Sequence, residues 1–407
     1  MYKFGGWGIS LCWWANIKYP TSIVDNLIEL LFSKSGLGLT VVRYNLGGGS
    51  NPDFKQNFRL GANMPCIMNE SGDFNLENDG LQLDILEKSV KAGVDKVEIF
   101  CNSPPYFMTK SGYTNGSDRS WECNLRNDCI NLFVDFLSTS YKILEQKFPI
   151  VSINPFNEPS NPFWTTSINQ EGCYYDYSTR KKIINGLKNK NPDIKISSAD
   201  ESSSIFALLW YFCSPKNLIN RINVHGYNYV EWRGVKFRFF DWTIWRRILR
   251  YFYRGELWMS EYGFGYDNTI SNSLGLARHI FRDLDTLRPD VWVYWQVEHI
   301  SSSWGVLKVD FENPNRIEIQ KQYWIFKHFT NTLLPGDTYE FVSNNVLRIK
   351  SDVDKYIILN DSSKSMNVPE LLLNDKSRIY MSSDDVDYIE ISSLPKLILP
   401  NTIISVR

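Results

Sequence analysis

Short apolar runs and longer amphipathic stretches alternate through roughly the first three quarters of the chain. The runs occupy residues 6–11, 39–44, 96–100, 150–154, 194–198, 222–225, 257–260 and 291–295. Most are rich in β-branched and aromatic residues, as strands covered on both faces should be. Between them, Leu81, Ile85, Leu86 and Val90 share one face at helical spacing. So do Leu125, Cys129, Leu132, Phe133, Phe136 and Leu137, and Ile183, Ile184 and Leu187 mark a shorter helix. Strands alternating with helices imply parallel βαβ units, and eight of them close a (β/α)₈ TIM barrel of the α/β class. The pattern changes at Pro335-Gly336. From there, short alternating runs at 346–350, 356–360, 371–373 and 398–399 are split by Asn, Asp, Ser and Pro. The chain therefore divides into a catalytic-sized barrel over 1–335 and a small C-terminal all-β, sandwich-like domain over 336–407.

Composition narrows the classes. The formal net charge of −1 provides no global field for nucleic acid. Fourteen Trp, 22 Tyr and 24 Phe exceed what a core needs and suit a cleft that stacks on sugar rings. No segment has the length of apolar chain that crosses a membrane, and residues 1–6 lack the basic and apolar parts of a secretory leader. Seven Cys without a CxxC pair read as reduced thiols rather than a disulfide framework or a zinc site. Together these point to a cytoplasmic protein, or a secreted one if a leader has been removed, and to a monomer without cofactor.

In a (β/α)₈ barrel, chemistry sits at the C-terminal ends of the strands. Those ends carry Trp13-Trp14, Arg43-Tyr44-Asn45, Asn102 to Pro105, Asn157-Glu158, Asp200-Glu201, His225-Gly226-Tyr227, Glu261-Tyr262 and Trp295-Gln296. Polar and aromatic groups gathered at one end of all eight runs imply a cleft. Glu158 and Glu261 each directly end a strand, the fourth and the seventh, on opposite walls of the mouth. One carboxylic acid for the leaving oxygen and one carboxylate facing the anomeric carbon are what glycosidic cleavage needs. Sugar faces would rest on Trp13, Trp14, Tyr106, Trp164 and Trp295.

Several strings then resemble glycoside hydrolase family 30: GWGISLCWWA at 6–15, RYNLGGG at 43–49, NSPPYFM at 102–108, NPFNEP at 154–159, QEGC at 170–173, NVHGY at 223–227 and SEYG at 260–263. Within the family the nearest likeness is to endo-β-1,6-galactanases. The likeness runs from about Trp7 to Gly336, in order on successive strands. It implies a retaining mechanism with Glu158 as acid/base and Glu261 as nucleophile. It also implies that Asn157 meets the sugar 2-hydroxyl, that Arg43 and Tyr227 flank the nucleophile, and that Trp295 floors the −1 subsite. Asn45, Asn102 and His225 complete the candidate site by position. Family members usually begin with a segment that adds to the side sandwich; here the barrel motif starts near Met1, so that sandwich is expected from the C-terminal segment alone. The same family also holds enzymes acting on β-glucosides, β-xylosides and β-fucosides. A reading of another class, a catalytically silent glycan-binding barrel, would be expected to have lost one of Glu158, Glu261 and Asn157, and none is lost.

Other motifs change little. Gly47-Gly48-Gly49-Ser50 lacks the Lys-Ser/Thr that a phosphate loop needs, and the four His have no partner at metal-ligand spacing. Residues 233–254 hold Arg233, Lys236, Arg238, Arg246, Arg247, Arg250 and Arg254 against Asp241. The stretch reads as the sixth barrel helix with a solvated basic back, or alternatively as a docking face for an anionic polymer or membrane surface.

Overall fold

Eight buried segments form the barrel strands β1 (Gly6–Ser10), β2 (Val41–Asn45), β3 (Lys96–Phe100), β4 (Ile150–Asn154), β5 (Ser197–Glu201), β6 (Arg221–His225), β7 (Leu257–Tyr262) and β8 (Val291–Tyr294). The structure is a computed structural model describing residues 3–53, 57–227, 230–232, 235–237, 242–263, 265, 267–368 and 377–407. All pairings within this sheet are parallel, in the order β4-β3-β2-β1-β8-β7-β6-β5. A bridge between Ile153 and Ile196 brings the two edges together and closes the barrel. Helices α1 (Thr21–Phe32), α2 (Gly80–Ala92), α3 (Ile130–Glu145), α4 (Tyr177–Lys190), α5 (Ser204–Cys213), α6 (Trp242–Phe252), α7 (Ile270–Arg282) and α8 (Lys321–Thr330) follow the strands and cover them.

The fifth strand lies three residues later than its apolar run suggests. Ile194 and Ile196 lead into it, but the paired residues are Ser197, Ser198, Ala199, Asp200 and Glu201. They are polar because the barrel centre is ionic. Glu98 accepts hydrogen bonds there from Arg43 Nε (3.1 Å), Asn223 Nδ2 (2.7 Å), Ser197 Oγ (2.6 Å) and Arg221 Nη2. Arg221 in turn lies over the Trp258 ring at 3.5 Å. A buried charge that loses its partner is costly, so Arg221→Ala should destabilise the fold by roughly 3–5 kcal/mol, read from urea unfolding. A loss below about 1 kcal/mol would mean that Glu98 is satisfied without it.

The basic stretch does not form a row of free cations. Arg246 is buried with Nη2 3.0 Å from Asp283, and Arg250 is buried with Nη1 donating to the Gly255 carbonyl at 2.8 Å. Arg247 is exposed and paired with Asp285 at 2.8 Å. The sequence reading of a uniformly solvated basic back is corrected here, since carboxylates of the barrel turn two arginines of α6 inward. Arg233, Arg238 and Asp241 lie outside the described residues, as do the side chains of Lys236 and Trp242.

Residues 331–337 lead into the antiparallel strands β9 (Thr338–Ser343), β10 (Val346–Lys350), β11 (Lys355–Asn360), β12 (Ile379–Ser382), β13 (Ile389–Ile391) and β14 (Thr402–Val406). Their order is β9-β10-β11-β14-β12-β13. Strand alternation sorts the side chains: Leu347, Ile349, Ile357 and Ile403 join the barrel core. Val346, Ile358, Ile404 and Val406 pack on the opposite face with Ile398 and Met366 of a two-stranded ribbon. Lys3 adds a single bridge to Thr338, and the expected run at 371–373 lies outside the described residues. His328 of α8 joins the units, its two ring nitrogens 2.8 and 2.9 Å from Ser405 and Ser382. Burial, with Arg407 and Lys327 nearby, pushes its pKa down to about 3, so the ring is neutral.

Candidate active site

The ends of β4 and β7 aim two carboxylates at one point. Glu158 follows β4 in a left-handed backbone conformation, φ 45°, which non-glycine residues rarely hold away from functional sites. Its backbone N–H donates to the Asp200 carbonyl at 2.8 Å, and its own carbonyl accepts the Trp164 indole N–H at 3.0 Å. Glu261 lies within β7. Arg43 Nη1 donates to its Oε2 at 3.1 Å and Tyr227 donates to its Oε1 at 2.8 Å.

His225 at the end of β6 stands between them. Nδ1 is 2.9 Å from Glu158 Oε1 and 3.6 Å from Glu261 Oε1, while Nε2 faces Asp200 at 3.4 Å. One oxygen from each glutamate and one His225 nitrogen all lie within 4.8 Å of one another. Burial alone would lower the His225 pKa, but Glu261, Asp200 and Glu158 outweigh it and lift it to about 10. The ring is therefore imidazolium at neutral pH. Although the trio has metal-ligand spacing, an imidazolium has no lone pair for an ion. Burial is also the largest influence on Glu261 and raises its pKa, with Glu158 adding to the rise and His225, Arg43 and Tyr227 opposing it. The two donors expected from the sequence are in place, yet they do not bring this carboxyl below the ordinary range.

Since the carboxylate form is the nucleophile, kcat/KM should fall as pH drops through that raised pKa. His225→Asn removes the cation that opposes the rise. The acid limb should move up by about one unit or more, and kcat/KM at neutral pH should fall roughly 100-fold. An unmoved limb would show that His225 only fills space. The stability linkage has a definite sign. A pKa lifted from 6.5 to about 10 gives stabilisation that is complete below 6.5 and lost as pH rises through 10.

Above the carboxylates lies a cavity of about 400 Å³. Trp13, Asn157, Trp164, Tyr227 and Trp295 line it together with both glutamates. Trp13 and Trp295 meet edge to face at 5.1 Å. Gly172 lets Trp164 lie flat, because a Cβ there would stand 2.1 Å from the ring. Arg43 and His225 act from behind, touching the carboxylates rather than the cavity. Four candidates stand elsewhere. Trp14 is in the core, its indole N–H donating to the Ser10 carbonyl at 2.9 Å. Asn45 and Asn102 bond each other at 3.3 Å beneath the site. Tyr106 donates to Glu70 at 2.7 Å, outside the cavity wall.

Loops add residues the sequence reading did not single out. Arg59 lies over the Trp13 ring at 4.6 Å and donates to Gln170 at 2.8 Å and to Asn169 at 3.2 Å. Asn161 Nδ2 donates to Glu158 Oε2 at 2.5 Å, and Phe163, Glu298 and Trp304 complete the wall. Asp200, which holds Arg43, was visible as a strand-end acid; the loop residues had no periodicity to mark them.

Known proteins share this arrangement to different depths. O-Glycosyl hydrolase family 30 matches over residues 4–207. An endo-β-1,6-galactanase of Hypocrea rufa is 28% identical over 373 residues, covering 81% of this chain and 72% of that protein. An exo-β-1,6-galactobiohydrolase of Bifidobacterium longum subsp. longum is 22% identical over 434 residues, covering 76% of this chain but 28% of that one. Among solved structures, a conserved exported protein from Bacteroides fragilis superposes with TM-score 0.82 at 20% identity, over 100% of this chain and 98% of that one. The catalytic domain of a family 30 xylanase C from Talaromyces cellulolyticus gives TM-score 0.73 at 15% identity, over 100% and 97%. At these identities the solved structures speak for the fold.

Proposed function

The chain belongs to O-glycosyl hydrolase family 30, a glycoside hydrolase of β-linked glycan, and on that footing we propose that it cuts β-1,6-linked galactan internally. Glu261 is the nucleophile and Glu158 the acid/base of a retaining double displacement. The observation that carries the mechanism is the pair of glutamate oxygens within 4.8 Å of each other, bridged by His225. An inverting pair keeps roughly 6.5–9.5 Å for a water, and a retaining pair about 5–5.5 Å.

In the first step a Glu261 oxygen bonds to the anomeric carbon while the glycosidic bond breaks and its oxygen takes the proton of Glu158. In the second, Glu158 as carboxylate removes a proton from water, which displaces Glu261 and restores both groups. Arg43 and Tyr227 hold Glu261 in line, and His225 keeps positive charge beside both carboxyls through the cycle. Trp13, Trp164 and Trp295 offer faces to sugar rings, and Asn157 offers its amide to a ring hydroxyl.

The galactan reading takes support from the galactanase relative. Internal cutting is supported by a polar groove with Tyr113, Asn115 and Asp118 that adjoins the cavity at Ile168 and Asn169, giving a longer chain room to continue. A β-1,6-galacto-oligosaccharide should give several short products. Release of single sugars or of galactobiose alone would replace internal with terminal cutting, and cleavage of xylan instead would replace the substrate.

A further inference from the structure

On the outer side of the barrel, α5 and α6 leave a cluster of large apolar side chains uncovered. Leu209 is 46% and Phe212 50% exposed on α5, and on α6 Ile244 is 55%, Tyr251 66% and Phe252 47% exposed. They form one surface, with the Phe212 and Phe252 rings 5.1 Å apart and Tyr251 5.3 Å from Phe252. The cause lies in the sequence of α6. Its apolar arc is wider than the core can cover, and the inward pull of Asp283 on Arg246 rotates Ile244 and Tyr251 outward. A contiguous patch of this kind marks a binding surface more often than a monomer's ordinary exterior.

Cations rim the patch. Lys216 stands 4.2 Å from the Tyr211 ring centre and 5.0 Å from that of Phe212, and Arg254 stands 5.3 Å from that of Tyr251. Arg247 and Arg288 border the adjoining groove beside one acid, Asp285. Among the described residues Lys216, Arg254 and Arg288 pair with no carboxylate. Aromatic and aliphatic groups flanked by unpaired cations are the chemistry of an anionic lipid interface, where the rings enter the headgroup boundary and the cations meet phosphate. An anionic polysaccharide would give Leu209, Phe212 and Ile244 nothing to bury against. A second copy across a twofold axis would set the same cations against each other.

We propose that the α5–α6 face docks the enzyme onto an anionic lipid surface. The last turns of both helices lead into the starts of β6 and β7, whereas Glu158 and Glu261 stand at the opposite ends of the strands. Docking therefore turns the catalytic mouth away from the lipid, toward glycan in solution.

The test is co-sedimentation of the full chain with vesicles of phosphatidylcholine plus phosphatidylserine, and of phosphatidylcholine alone, at low and high salt. The protein should bind the anionic vesicles at low salt and lose most of that binding at high salt. Lys216→Gln/Arg254→Gln should weaken binding roughly 25-fold, at about fivefold per charge. Phe212→Ser/Phe252→Ser should abolish it, with turnover of a soluble glycan unchanged in both variants. No binding by the unaltered protein at low salt overturns the proposal. So does binding that the serine variant leaves intact, which would be adsorption by charge alone. A dimer in solution that the serine variant dissociates would assign the face to a second copy instead.

Discussion

Glu261→Ala is expected to lose kcat by on the order of 10⁵-fold or more on every substrate, activated or not, because no other group can bond to the anomeric carbon. The alanine also strips a carboxylate from between Arg43 and His225, so part of its loss could come from local disorder. Glu261→Gln separates the two effects. It keeps the shape and an oxygen for Tyr227 or Arg43, and should remain folded with an unchanged Tm while being as inactive as the alanine variant. Burst kinetics with an activated aryl β-galactoside provide the readout, and neither variant should show a burst. Glu261→Gln retaining more than about 1% of kcat would remove Glu261 from the nucleophile's role.

Glu158→Ala should divide substrates by leaving group. On the natural glycan, whose leaving oxygen needs a proton, turnover should fall by roughly 10³- to 10⁴-fold. With a good leaving group the first step needs no acid, so the glycosyl-enzyme should form at a near-normal rate and then accumulate, because water lacks its base. Azide needs no base. It should restore turnover and give the β-glycosyl azide, since two displacements at the anomeric carbon return the starting configuration. Equal loss on both substrates, without azide rescue, would reduce Glu158 to a structural partner of Asn161 and His225.

The sequence carried the barrel well where strands are apolar and poorly where they are not. β2 and β3 fall where Val41, Val42, Val97 and Ile99 put them, because buried parallel strands are written as continuous apolar residues. β5 was displaced because Ser197 and Asp200 serve the ionic centre, and a polar strand looks like a loop to any apolar count. At the site, Glu158 and Glu261 were legible from their places at strand ends. Trp13 and Trp14 were legible only as a pair: the chain sends Trp13 to the cavity and Trp14 to the core, a division that adjacency cannot reveal. Asn45 and Asn102 end strands too, but the loop bearing Glu171 closes over them, its carboxylate accepting the Gly48 N–H at 2.8 Å. Arg59, Phe163 and Trp304 come from long loops whose course depends on tertiary contacts, and no spacing rule finds them. Arg246 and Arg250 read as solvated because a charged helix residue usually is; only the position of Asp283 and the Gly255 carbonyl makes them buried ones.

The central claim is that Glu158 and Glu261 act by two displacements on one anomeric carbon. Proton NMR of the sugar released first from a β-linked galacto-oligosaccharide tests it directly, provided spectra are taken before mutarotation mixes the anomers. The account predicts that the β anomer appears first and the α anomer only later, as equilibration proceeds. An α anomer at the earliest times would mean a single displacement by water and would contradict the mechanism, even if both glutamates proved indispensable.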